Sequence, residues 1–311
     1  MNPEVRRAAE ILRAGGLVAF PTETVYGLGA DASNAKAVAR LYAVKRRPVD
    51  HPVIVHFASA EDAFVFAREI PEAARKLSKK FWPGPLTLIL RRSDKANDFV
   101  TGGQDSVGLR VPSHPVAQEF LREFGGAIAA PSANRFGLIS PTTAAHVRAD
   151  LGAEVDLVLD GGASEVGIES TIIDLSGSGA VLLRPGGISR SAVEKITTLE
   201  EKQKSSPRHS GGLEQHYAPR TPARLVPTHR LDQEISQWKE RVAVLAFSRP
   251  DQRVDYWLRM PREPQGYAQK LYAALRELDG AGCALILVEA PPASPEWAAV
   301  NDRLSRACAK A

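Results

Sequence analysis

The sequence predicts an α/β protein made of two successive domains. Three observations carry this reading. Apolar runs of strand length alternate with segments of helical periodicity along nearly the whole chain, the rhythm of strand–helix units. Residues 200–222 interrupt that rhythm with Lys, Ser, Pro, Gly and His and few apolar side chains, the composition of a linker. The 311 residues are 44% hydrophobic and 24% charged, ordinary for water-soluble domains and enough for about two of roughly 150 residues.

Each element has its own signal. Asn2 followed by Pro3 predicts a cap and a proline in the first turn of a helix, which Val5, Ala8, Ile11 and Leu12 continue until Gly15-Gly16. A strand follows over 17–20. Asn34 opens a helix over 35–44, Ser59-x-x-Asp62 caps another, Pro71 precedes one over 72–80, and Thr142 precedes one over 143–151. The runs 86–90, 107–111, 127–130, 155–159, 171–175 and 181–183 read as strands. Together these give an α/β domain over residues 1–199. Beyond the linker, strands at 223–226, 242–247 and 284–288 alternate with helical stretches at 231–240, 267–278 and from 296 onward. Residues 223–311 therefore read as a small Rossmann-like parallel α/β domain, with Trp238, Trp257 and Trp297 in its core.

Several classes are excluded. The composition does not fit disorder, collagen or coiled coil. The apolar runs at 86–90 and 284–288 fall far short of the ~18–20 residues that span a bilayer. Residues 1–7 lack the features of a signal peptide, so the expected location is cytoplasmic, with no membrane partner. Cys283 and Cys308 have no zinc-like spacing and are expected to be reduced, mostly buried thiols. The net charge of +4 is unevenly spread: Lys36, Arg40, Lys45, Arg46 and Arg47 occur between residues 32 and 49 without one acid.

The segment 21–32 leaves a strand for a loop dense in hydroxyls. Its Gly27-x-Gly29-x-x-Ala32 spacing imitates a dinucleotide fingerprint, yet Pro21 breaks the strand six residues too early for one. No Gly-x-x-x-x-Gly-Lys-Ser/Thr loop occurs, so a bound nucleotide would be held by side chains and scattered amides. Lys45, Arg46 and Arg47 end a helix before Pro48, Arg110 ends a strand, and Arg184 ends another before Pro185-Gly186-Gly187. An arginine fork suits bidentate contact with carboxylate or phosphate, whereas lysine is a point charge. Singly, each also reads as a solvated cation. The hydroxyls at 130–135 and 140–142 also read as turns and caps, and His56 as a core histidine.

Taken together, residues 20–29, Lys45-Arg46-Arg47-Pro48, 51–56, 107–112, 130–134, Ser140-Pro141-Thr142, 169–174 and Leu183-Arg184-Pro185-Gly186 resemble the YrdC-like threonylcarbamoyl-AMP synthase family in its long form. The order and spacing of these motifs run across residues 10–190. The linker is similar to that of the long members, in which His216-Tyr217-Ala218-Pro219 ends a segment folded over the active site. It departs at Ser210 before Gly211, where proline is usual.

The resemblance implies a twisted mixed sheet with helices in the first domain. It also implies an enzyme that condenses L-threonine, bicarbonate and ATP into threonylcarbamoyl-adenylate and pyrophosphate. The product would pass to a separate transferase complex for modification of tRNA adenosine next to the anticodon. Mg²⁺ would come with ATP, no tightly bound organic cofactor is implied, and no protein ligand for the metal is assigned. Thr24, His56, Arg110, Ala130 and Ser170 would form the threonine pocket. Arg47, His51, Ser106, Ser132, Asn134, Ser140, Arg184 and Tyr217 would meet ATP, and Lys45 and Arg47 would be the catalytic cations. Such chemistry needs positioning and placed charge but no protein nucleophile. The competing reading is a non-catalytic module for tRNA or double-stranded RNA, and weak tRNA binding is compatible with either. A carbamoyl transfer of the hydrogenase-maturation type would need cysteine pairs that the chain lacks.

Overall fold

The computed structural model describes residues 2–203 and 206–309, so Lys204 and Ser205 of the linker lie outside the described residues. In chain order the strands are β1 Val18–Phe20, β2 Gly27–Asp31, β3 Ile54–His56, β4 Leu86–Arg91, β5 Ser106–Arg110, β6 Ile128–Ala129, β7 Leu157–Val158, β8 Thr171–Asp174, β9 Ala180–Arg184, β10 Leu199–Glu200, β11 Ala223–Val226, β12 Val242–Ala246, β13 Tyr256–Arg259 and β14 Leu285–Glu289. The first ten form a mixed sheet in the order β10-β9-β8-β4-β5-β3-β6-β2-β1-β7, and the last four a parallel sheet in the order β11-β14-β12-β13. The chain divides into two compact units. One holds the first sheet and the linker as far as Gly212, and the other holds the second sheet together with Gly137–Ser140 and Val166–Ile168.

In the first unit, alternation along β1 sends Ala19 to one core and Val18 and Phe20 to the other. The larger core joins Leu28, Leu41, Val55, Leu77, Leu86, Leu88, Leu109 and Ile173. The smaller lies under helices Pro3–Arg13 and Pro115–Phe124, where Leu12, Phe120 and Ile128 surround Phe20. The caps are local and behave as the residue types dictate. Asn2 accepts from the Glu4 amide at 2.9 Å, and Ser59 accepts from the Asp62 amide at 3.1 Å. Helix Ala144–Leu151 starts one residue later than expected, because Thr143 takes the cap through the His146 amide.

The segment read as a hydroxyl loop continues into a strand. Residues 27–31 form β2, of which 27–29 pair antiparallel with β1, placing Gly27 and Gly29 opposite Phe20 and Val18. A Cβ on Gly29 would lie 2.9 Å from the Ile128 side chain and 3.1 Å from the Phe20 ring. Those glycines make room for packing inside a sheet, not for a pyrophosphate. In the second unit, Val242, Val244, Ala246, Leu285 and Leu287 face helix Leu231–Gln237, with Trp238 and Trp257 against them. The half-exposed strand β13 was not foreseen. Trp297 is buried, and Cys283 and Cys308 are free, the first buried and the second partly so. Among the described residues no helix is long and apolar enough to cross a membrane.

Candidate active site

Strand register sets the first part of the site. β3 pairs parallel with β5 and antiparallel with β6, so His56 stands beside Arg110 on one neighbour and Ile128 on the other. Arg110 Nη2 donates to Glu23 at 2.7 Å, and the second Glu23 oxygen accepts from the Ser113 amide at 3.1 Å. Both side chains of this pair are about 95% buried, with 5% and 4% exposure. Arg110 Nε is buried and has no hydrogen-bond partner among the described residues. Burial, aided by the Arg110 charge, pushes His56 down to about 3, so its imidazole is neutral at ordinary pH. Its Nδ1 is also without a partner. Thr22 donates to the Val25 carbonyl at 2.6 Å, which leaves the Thr24 hydroxyl as donor in the 2.8 Å Thr22–Thr24 bond. Ala130 is anchored by its amide on the Ile54 carbonyl.

The second part gathers buried cations. Helix Ala35–Lys45 ends when Arg46 adopts a left-handed conformation at φ 53°, and Pro48 prevents its resumption. That turn lets Lys45 and Arg47 both point inward, with 2% and 7% exposure. Lys45 Nζ donates to the carbonyls of Ser132 and Asn134 and so pins that loop. Burial first, then the Arg47 charge, holds the Lys45 amine well below the usual lysine range. Arg47 donates to the carbonyls of His51 and Pro52, and its guanidinium lies 5.3 Å from the Phe136 ring centroid. Burial and the same Arg47 charge lower His51. Arg184 donates to the carbonyl and hydroxyl of Ser170, whose hydroxyl also bonds Thr87 at 2.8 Å.

A narrow recess is lined in part by Ile54, Thr87, Gln104, Ser106, Arg208 and Ser210, so that Ser106 is the expected site residue on its wall. The linker forms one wall. Ser210 donates to the Pro52 carbonyl at 3.2 Å and accepts from Arg47 at 3.4 Å, while its carbonyl accepts from Arg184 at 2.9 Å. A proline there could supply only the last of these bonds. Ser140 and Tyr217 fall in the second unit. There Tyr217 is 1% exposed, 5.7 Å from the Tyr272 ring and under the Arg303 guanidinium.

Sequence reasoning missed Glu23, Thr87, Gln104 and Arg208. Glu23 carried a signal as an acid inside a hydroxyl-rich apolar segment, and Thr87 as the lone hydroxyl of an apolar strand. Gln104 and Arg208 carried none. Among the described residues no group of three or more His, Cys, Asp or Glu side chains is placed to hold a metal ion.

Comparison with known proteins agrees with this architecture. The Sua5_yciO_yrdC family profile, described as "Telomere recombination", matches residues 10–186, and a profile described as "Threonylcarbamoyl-AMP synthase, C-terminal domain" matches 188–309. The chain is 39% identical to the threonylcarbamoyl-AMP synthase of Pyrococcus abyssi, over 98% of this chain and 94% of that protein. It is also 39% identical to the threonylcarbamoyl-AMP synthase of Bacillus subtilis, over 98% and 93%. A crystal structure of Pyrococcus abyssi Sua5 complexed with L-threonine superposes with a TM-score of 0.93 at 38% identity, covering 98% of this chain and 94% of that one. By its motifs, its sheet and this match along nearly its full length, the chain belongs to the Sua5/YciO/YrdC family.

Proposed function

We propose that the protein is a nucleotidyltransferase that makes threonylcarbamoyl-AMP from L-threonine, bicarbonate and ATP. The observation that carries this is the Glu23–Arg110–His56 group: a buried guanidinium held by one carboxylate, with a vacant Nε–H donor beside a neutral imidazole. That is a receptor for a second, bound carboxylate. Thr24, Ala130 and Ser170 complete the proposed threonine pocket. The threonine amine takes up the bicarbonate carbon with loss of water, and the carbamate oxygen then attacks the α-phosphate as pyrophosphate leaves.

Arg47, His51, Ser106, Ser132, Asn134 and Arg184 of the first unit are assigned to ATP, with Lys45 and Arg47 as catalytic cations. The mutual repulsion of Lys45 and Arg47 supports an anionic occupant, because a triphosphate would relieve it. Mg²⁺ would arrive on the triphosphate. We assign the product to tRNA modification through a separate transferase, in the cytoplasm. The RNA-binding alternative is disfavoured because Lys45, Arg47, Arg110 and Arg184 are buried and cannot meet the phosphates of a duplex. Pyrophosphate release that requires both threonine and bicarbonate tests the reaction. Arg110→Ala should raise the threonine KM at least ten-fold while changing the ATP KM little, since a charged hydrogen bond contributes about 1.5–3 kcal/mol. Equal effects on both substrates would reassign Arg110.

A further inference from the structure

The second unit contains a recess that this reaction does not use. Its sheet is parallel throughout, so all four carboxyl ends share one edge. The crossover from β11 to β12 runs one way along the sheet, and the return from β13 to β14 runs the other. Right-handed crossovers then place helix Leu231–Gln237 on one face and helix Pro264–Asp279 on the opposite one. The chain leaving β14 leads to helix Ala298–Ala307, which contacts helix Pro264–Asp279. The neighbours β11 and β14 therefore send their chains to opposite faces. Such a parting opens a crevice at the carboxyl edge, where open α/β sheets bind ligands.

The recess lies there, open to solvent and ≈ 280 Å³ in volume. Thr228 follows β11, Phe247 follows β12, Arg262 follows β13, Glu289 ends β14, and Ala290 and Trp297 come after it. The rings of Phe247 and Trp297 meet edge to face at 5.8 Å, with Tyr267 packed against both. Glu289 is 6% exposed, and one of its oxygens accepts from the Phe247 amide at 2.7 Å. Its other oxygen has neither a hydrogen bond nor a cation among the described residues. Arg262 is exposed, lies 5.8 Å from the Phe247 ring centroid and donates to the Ser248 hydroxyl at 2.7 Å. It makes no ion pair among the described residues. That oxygen is not sealed from solvent, so it can accept a hydrogen bond from a ligand entering at this edge.

We propose that this recess binds a nucleoside phosphate. The base lies against Phe247 and Trp297, the phosphate takes the Arg262 guanidinium, and ribose hydroxyls donate to the open oxygen of Glu289. The site is separate from the nucleotide contacts assigned to Arg47 and Arg184 in the first unit. Calorimetric titration of the full chain with AMP tests it, using wild type, Arg262→Ala, Glu289→Gln and Arg184→Ala. The expected result is a saturable AMP component that survives Arg184→Ala and weakens at least ten-fold in both Arg262→Ala and Glu289→Gln. Arg262 is exposed and the glutamine keeps the acceptor for the Phe247 amide, so both variants should stay folded. No component with that pattern, or one unaffected by Arg262→Ala, overturns the site. Inorganic phosphate competing as well as AMP overturns the nucleoside part of the assignment.

Discussion

A buried ion pair and a buried histidine dominate the residue scale, and each has a measurable signature. Glu23 and Arg110 are ion-paired out of water, so removing one leaves the other charged and uncompensated. Glu23→Ala should therefore cost about 3–5 kcal/mol of unfolding free energy, far above a surface pair. Urea unfolding reads this, and a loss under ~1 kcal/mol would mean that water reaches Arg110. His56 makes the opposite kind of signature. Its folded value is about 3, against 6.5 for the unfolded side chain. Between those values the unfolded chain binds a proton that the folded one refuses, so stability falls as pH falls, by up to about 1.4 kcal/mol per unit. The stabilisation is complete above pH 6.5 and lost progressively toward pH 3. His56→Gln should flatten this limb in unfolding series run from pH 7 to 4. An unaltered slope would show that other groups produce it.

At the scale of elements, legibility followed the range of the interaction. Helix starts were readable because Asn2, Asn34 and Ser59 cap their own helices within three residues. β2 was not readable, because Gly27 and Gly29 look like a turn until Phe20 and Ile128 are known to press on them. Gly29→Ala should accordingly lose roughly 1–3 kcal/mol through overpacking. A variant as stable as wild type would show that β2 can shift away from Phe20. β13 escaped notice because it is an edge strand whose apolar run, Tyr256-Trp257-Leu258, is only three residues long. The cations Lys45, Arg47, Arg110 and Arg184 stood out through the family resemblance, since each taken singly read as a solvated charge, and the structure buries all four. The carboxylate that holds Arg110 lies 87 positions away, beyond any local pattern.

At the scale of the whole molecule, the linker is the part whose composition said least about its placement. It is too polar to build a core, yet residues 208–210 are held on the first unit by a dense set of bonds. The Arg208 amide donates to Gln104 at 2.7 Å and Gln104 donates back to the Arg208 carbonyl at 3.1 Å, while the Arg208 side chain reaches the Gly102 carbonyl at 2.9 Å. Ser210 adds its contacts with Pro52, Arg47 and Arg184. The wall of the recess is thus tied to the first unit by the protein's own hydrogen bonds. A docked wall suits the proposed product, since a mixed anhydride survives only where water is kept away. Gln104→Ala removes both bonds to the Arg208 backbone, worth roughly 0.5–1.5 kcal/mol each, and should raise the open population about ten-fold. Trypsin cleavage after Arg208 should accelerate by that factor while cleavage after Lys202 changes little, and less intact product should leave the enzyme per pyrophosphate released. If the Arg208 rate is already that of a free peptide in the wild-type protein, the segment is not docked, and protection of the product must come from elsewhere.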